Sequence, residues 1–191
     1  MKRYAITVRR WWAVPAALAV LILICSAIGT STVPVPSLTR GAGGAQLAYF
    51  TPVLVVIAVM YCLERRLHEV ETTAVLPVRR LDQGAVILTV ALAHVAGLLV
   101  GMDIARNVTV LLGVALLVRR MANEATAAGA GLMFLVLNII LGRAIGPNGH
   151  STHAWWAIVL YPSGNMPAWL LAVALFALAL PSAFPRTSVS R

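Results

Sequence analysis

Apolar residues divide the chain into six runs, residues 12–29, 47–63, 85–102, 104–118, 125–145 and 166–183, with polar residues gathered in the stretches between them. Most runs approach the roughly 20 residues with which an α-helix crosses a bilayer. The pattern predicts an all-α fold: one transmembrane domain over residues 1–191, a polytopic bundle of six transmembrane helices. The fourth run is the shortest, at fifteen residues, so to span it needs local thinning of the bilayer, or Arg106 and Arg119 reaching outward to the headgroups. Residues 30–46 hold Pro34, Pro36, Gly41, Gly43 and Gly44 and read as an outer loop. Residues 146–166 open on the turn Gly146-Pro147-Asn148-Gly149, then carry an apolar patch at 154–160 with Trp155 and Trp156. That patch is too short to span and suits a re-entrant or interfacial helix on the outer face.

Composition supports lipid as the solvent of most of this surface. The chain is 60% hydrophobic and only 11% charged, with a mean hydropathy of +0.88, which leaves too little polar surface to coat a water-soluble globule. A net charge of +9 would suggest nucleic acid in a soluble protein, but here the basic residues cluster at the ends of the apolar runs, where they set topology, and no nucleic-acid partner is expected. With the N-terminus inside, the cytoplasmic side receives Lys2, Arg3, Arg9, Arg10, Arg65, Arg66, Arg79, Arg80, Arg119, Arg120, Arg186 and Arg191, and the outside only Arg40, Arg106 and Arg143. Basic residues accumulate in short cytoplasmic loops, so this bias predicts six crossings of the cell membrane with both termini cytoplasmic.

The stretch at residues 64–83 is the most informative polar segment, with four of the chain's six acids: Glu64, Glu69, Glu71 and Asp82. Leu67, Val70, Ala74, Pro77 and Leu81 recur at helical spacing, while Glu64, His68, Glu71 and Thr72 fall away from that stripe. A short amphipathic helix ending near Pro77 follows. It would lie along the inner membrane surface and present its polar face to a cytosolic partner.

Glu64, Arg65, Val75, Leu76, Pro77, Val78 and Arg79 resemble a segment found after the second span in permease subunits of type-2 ABC exporters. That family includes small bacterial members encoded apart from their ATPase. Thr72 and Thr73 depart from the Gly-Thr often found there. The resemblance implies that this segment is a coupling helix docking on the nucleotide-binding subunit, with Glu64, Leu67, His68, Val70, Glu71, Pro77 and Arg79 as the contact. It also implies short outer helices between spans five and six, where residues 154–160 lie, and a second permease chain, identical or different. A phosphate-binding Walker loop needs a lysine after its glycines, and the sole lysine is Lys2. The expected ABC ATPase is therefore a separate subunit.

Within the apolar runs, His94, Asn138 and Arg143 are costly in lipid and need polar neighbours or a wet cavity. They are candidates for a translocation path, and His94 and Asn138 are candidates for a hydrogen bond across two helices. Thr89, Ala93, Gly97 and Gly101 form a stripe of small residues at four-residue spacing, which permits close helix approach. Cys25 and Cys62 sit at different depths, so no disulfide is expected. His150 and His153 lack an accompanying cysteine or carboxylate, and a zinc site is weakly supported. No cofactor, metal or enzymatic activity is expected. The competing readings are a non-transporting membrane protein with an immunity or structural role, and a membrane-embedded enzyme.

Overall fold

A computed structural model describes residues 10–37, 41–64, 78–145 and 151–184. Six α-helices dominate it: α1 (Ala13–Ile28), α2 (Pro52–Leu63), α3 (Val78–Val100), α4 (Met102–Arg119), α5 (Glu124–Leu141) and α6 (Met166–Ser182). Polar signals set several ends. Asn123 accepts from the Thr126 amide at 2.8 Å to cap α5, and Asn165 accepts from the Ala168 amide at 2.9 Å to cap α6. Each occupies a donor that the first turn would otherwise leave unpaired. Pro52 opens α2, where its missing N–H costs nothing.

The described residues are mostly helical, in keeping with the all-α expectation, but two short β-ribbons join the helices. The anticipated loop at 30–46 contains an antiparallel ribbon of β1 (Thr32–Ser37) and β2 (Gly41–Gln46), with Pro34 opposite Gly44 and Pro36 opposite Ala42. Both strands of a two-stranded ribbon are edges, and an edge tolerates proline because one side of the strand has no ladder to supply. A second ribbon joins β3 (Arg143–Ile145) to β4 (Ser151–His153). The apolar patch at 154–160 forms only a 3-10 turn, Ile158–Leu160, in place of a re-entrant helix. At the start of α3, Leu81 and Asp82 belong to the helix and Asp82 is buried, so the last residues of the polar segment at 64–83 are part of α3.

The shortest apolar run turns out to be the centre of the molecule. α4 packs against α2, α3, α5 and α6, and its residues from Ile104 to Gly113 are all buried. α4 is thus enclosed by other helices although it carries Arg106, Asn107 and Thr109, and α2 is almost as enclosed. Gly101 makes the α3–α4 hairpin possible: its φ of 126° is closed to ordinary L-residues, and an added Cβ would lie 2.6 Å from Asp103 Oδ1. One turn earlier, a Cβ on Gly97 would meet the Ala105 Cβ at 2.7 Å. The Gly97 and Gly101 end of the small-residue stripe is therefore an internal contact between α3 and α4, and Thr89 and Ala93 farther along it are buried.

The outward faces of α1, α3, α5 and α6 are apolar. Leu23, Leu88, Val95, Leu98, Leu99, Met133, Leu170 and Leu178 are all more than half exposed. Two helical stretches are long and apolar enough to cross a membrane: Arg80–Val100, at mean hydropathy 2.0, and Glu124–Leu141, at 1.8. α1, α6 and Leu47–Leu63 are apolar but shorter, and α4 carries Asp103, Arg106 and Arg119 among its 18 residues.

Candidate functional site

Polar chemistry collects at the two ends of α4. At its C-terminal end, Arg119 makes a bond from each guanidinium nitrogen. Nε donates to Glu124 Oε1 at 3.2 Å, one terminal nitrogen to the Ala183 carbonyl at 3.3 Å, and the other to the Leu63 carbonyl at 3.5 Å. The plane also lies over the Phe184 ring, 5.2 Å from its centroid. One side chain thus joins the ends of α2, α4 and α6 to the first turn of α5. Arg10 lies at the same end of the bundle: its guanidinium donates to the Tyr61 hydroxyl and stacks on that ring, while its carbonyl accepts from Cys62 Sγ at 3.4 Å. Both ends of the described chain, Arg10 and Phe184, therefore lie on the side where α2 finishes.

At the opposite end Arg106 is fully buried. It donates to the carbonyls of Tyr161 at 2.6 Å, Pro162 at 3.0 Å and Val159 at 3.4 Å, and to Asn107 Oδ1 at 3.3 Å. Asn107 adds a bond from Nδ2 to the Val159 carbonyl at 3.1 Å. Backbone without regular structure must satisfy its carbonyls somewhere. Here adjacent side chains of α4 supply the donors, and the segment from Val159 to Pro162 becomes a cap clamped over the helix. The expectation that Arg106 and Arg119 reach to headgroups is corrected at both positions, because each turns to protein carbonyls.

The residues singled out from sequence are not gathered into one site. Leu67, His68, Val70, Glu71 and Pro77 lie outside the described residues. Glu64 is exposed directly after α2, and Arg79 lies in the first turn of α3. His94 and Asn138 do not pair with each other. His94 Nδ1 bonds the Val90 carbonyl at 2.7 Å and Asn138 Nδ2 donates to the Phe134 carbonyl at 2.9 Å, each one turn back in its own helix. The His94 ring instead meets Trp169 of α6, with centroids 5.5 Å apart. Asn138 is fully buried and its Oδ1 has no partner among the described residues. Arg143 sits on β3, directly across the ribbon from His153. The His153 ring stands edge-on to Tyr161. Partial burial, and then the positive charge of Arg143, hold its pKa below the usual histidine value.

Sequence reasoning passed over two groups. Asn107 was the available signal for the cap, since its side chain is too short to snorkel and must find a partner within the protein. For the Arg119 junction the signal was Glu124, five residues on and just inside a helix start marked by Asn123. Among the described residues, no group of three or more His, Cys, Asp or Glu is placed to hold a metal ion. Compared with known proteins, the chain matches no family model, no curated protein and no solved structure.

Proposed function

We propose that the chain is the membrane-spanning permease subunit of an ATP-driven exporter of the ABC type, energised by a separate ATPase subunit and paired with a second permease chain. The observation that carries this reading is the Arg119 junction. The segment expected to meet the motor follows α2 in sequence, and the Leu63 carbonyl at the end of α2 is held by the same guanidinium that holds α5 and α6. A push on the segment from a cytosolic motor would reach several helices as a rigid-body displacement. The family-like sequence around Pro77 is the reason to expect that motor to be an ABC ATPase.

In this reading all six helices cross the membrane, and the Arg119 end faces the cytoplasm. Charge supports that orientation: among the described residues Arg10, Arg80, Arg119 and Arg120 lie at this end, and Arg106 and Arg143 at the other. The 16-residue α1 rises only about 24 Å at 1.5 Å per residue, so the bilayer thins around it or its flanking residues reach outward. The burial of α4 accounts for its charges, since a central helix presents them to protein and not to lipid. The exporter reading assigns the chain no chemistry of its own.

The test is purification from native membranes in mild detergent. An ATPase with its own phosphate-binding loop and no membrane spans should accompany the chain, and the chain freed of it should not hydrolyse ATP. Recovery without any ATPase would favour a non-transporting membrane protein.

A further inference from the structure

α3 and α6 both pack along α4, yet they scarcely approach each other. A pair of rings spans the cleft between them: His94 of α3 and Trp169 of α6, with centroids 5.5 Å apart and planes inclined at 43°. Both rings are partly exposed, and Leu98 and Val173, each one helical turn along from its ring, are 74% and 54% exposed. His94 lies six residues before the last residue of α3. With α3 crossing the membrane, that places the ring about 9 Å below the outer end of the helix, at 1.5 Å per residue.

The hydrogen bonds of the two rings determine what the cleft offers. A carbonyl oxygen only accepts, so the 2.7 Å bond between His94 Nδ1 and the Val90 carbonyl puts the imidazole proton on Nδ1. In the neutral ring Nε2 is then an acceptor, and among the described residues nothing donates to it. Trp169 does not serve, because its indole N–H is committed to the Ser163 carbonyl at 2.8 Å. The geometry points to a binding site in this cleft for an apolar molecule that carries an uncharged hydrogen-bond donor, a hydroxyl or an amide N–H. The donor meets His94 Nε2, and the apolar body lies along Trp169, Leu98 and Val173.

Chemistry selects this class of ligand over others. Hydrocarbon chains have no donor and a phosphatidylcholine headgroup has none, so ordinary lipid fills the cleft without satisfying Nε2, which is costly at membrane depth. Charge disfavours an ammonium as the donor. Among the described residues Arg106 and Arg143 lie at this end against the single acid Asp103, and like charges repel. The inference rests on the membrane placement of α3 and α6 and is independent of the ATPase.

The test uses the full chain in phosphatidylcholine vesicles with two probes. One is a long-chain alcohol with a photoreactive diazirine beside its hydroxyl; the other is the methyl ether of that alcohol, which keeps the body and loses the donor. On illumination the alcohol should label residues 94–99 and 169–174. Excess unmodified alcohol should cut that labelling at least about fivefold, and the ether should label these residues at least about fivefold less, the worth of one hydrogen bond. His94→Leu should reduce labelling by the alcohol to that of the ether, and His94→Gln, which keeps an acceptor, should recover part of it. In the nitrogen NMR spectrum the His94 Nε2 resonance, assigned by its loss in His94→Gln, should move on addition of the alcohol and not of the ether.

Equal labelling by alcohol and ether, or labelling that excess alcohol leaves unchanged, would overturn the inference, since both describe simple partition into lipid. So would parental labelling of His94→Leu, a proton found on Nε2, or an Nε2 resonance that the alcohol leaves unmoved because water already holds the position. If His94→Leu fails to accumulate, the comparison of alcohol with ether on the unmodified chain decides alone. A chain that does not enter vesicles removes the membrane placement and the site with it, whereas absence of an ATPase from native preparations leaves this test unchanged.

Discussion

Removing the Arg106 guanidinium would take the donor from the Tyr161 carbonyl, while Pro162 keeps the Asn165 amide and Val159 keeps Asn107. A shielded acceptor left without its partner costs about 1–3 kcal/mol. Arg106→Leu should therefore lower the local stability of the cap by about 2 kcal/mol and speed exchange of its amides roughly thirtyfold. Exchange at residues 157–161 unchanged from the parent would show that the cap is held by packing instead. His153 gives a second prediction. Its pKa in the closed ribbon lies below the ordinary value of 6.5, so as pH falls through that value an opened ribbon takes up a proton that the closed one resists. The closed form loses stability on acidification, and the loss levels off below the folded pKa. After correction for intrinsic rates, exchange at residues 152–154 should be faster at pH 5 than at pH 8, and His153→Gln should abolish the difference.

At the scale of elements, the α3–α4 hairpin depends on one backbone conformation. Gly101→Ala should destabilise the protein by about 1–3 kcal/mol through strain at positive φ, in addition to the clash with Asp103. Gly84→Ala on the same helix α3 meets open space and should be neutral or stabilising by up to about 1 kcal/mol. Unfolding in matched detergent checks both, and equal effects would contradict the assigned geometry.

This is also the scale at which the sequence is most legible. The apolar runs coincide with the helices to within a few residues at most ends, because an apolar stretch with capping residues at its edges has few alternatives. Departures occur where local chemistry was ambiguous. Alternating Val33-Pro34-Val35-Pro36 reads as a loop until Gly43, Gly44 and Ala45 pair with it, and residues 154–160 are too few to fix a helix once Arg106 claims the Val159 carbonyl and those of Tyr161 and Pro162 just after it. Periodicity within single helices could not reveal which helix is central, since that depends on pairings between runs far apart in the chain. The shortness of the fourth apolar run therefore suggested a marginal crossing, whereas the 18-residue α4 that contains it is surrounded by protein.

For the whole molecule, the proposed reading puts Arg10, the end of α2 and Phe184 together on the cytoplasmic side. Reporter fusions after Arg120 and after Arg191 should both score cytoplasmic. An external signal after Arg120 would take α4 out of the membrane and the exporter reading with it.

The central claim is that residues 64–80 are where an ATPase grips the bundle. Apolar residues seated in a partner's pocket carry more binding energy than charges at its rim. The decisive measurement is the amount of ATPase co-purifying with three forms of the chain at matched membrane levels: unmodified, Arg65→Ala, and Leu67→Asp combined with Val70→Asp. The account predicts near-parental recovery for Arg65→Ala and at least about a tenfold loss for the double variant, equivalent to about 1.4 kcal/mol or more, with insertion intact. Equal recovery of the ATPase by the double variant and the unmodified chain would contradict it.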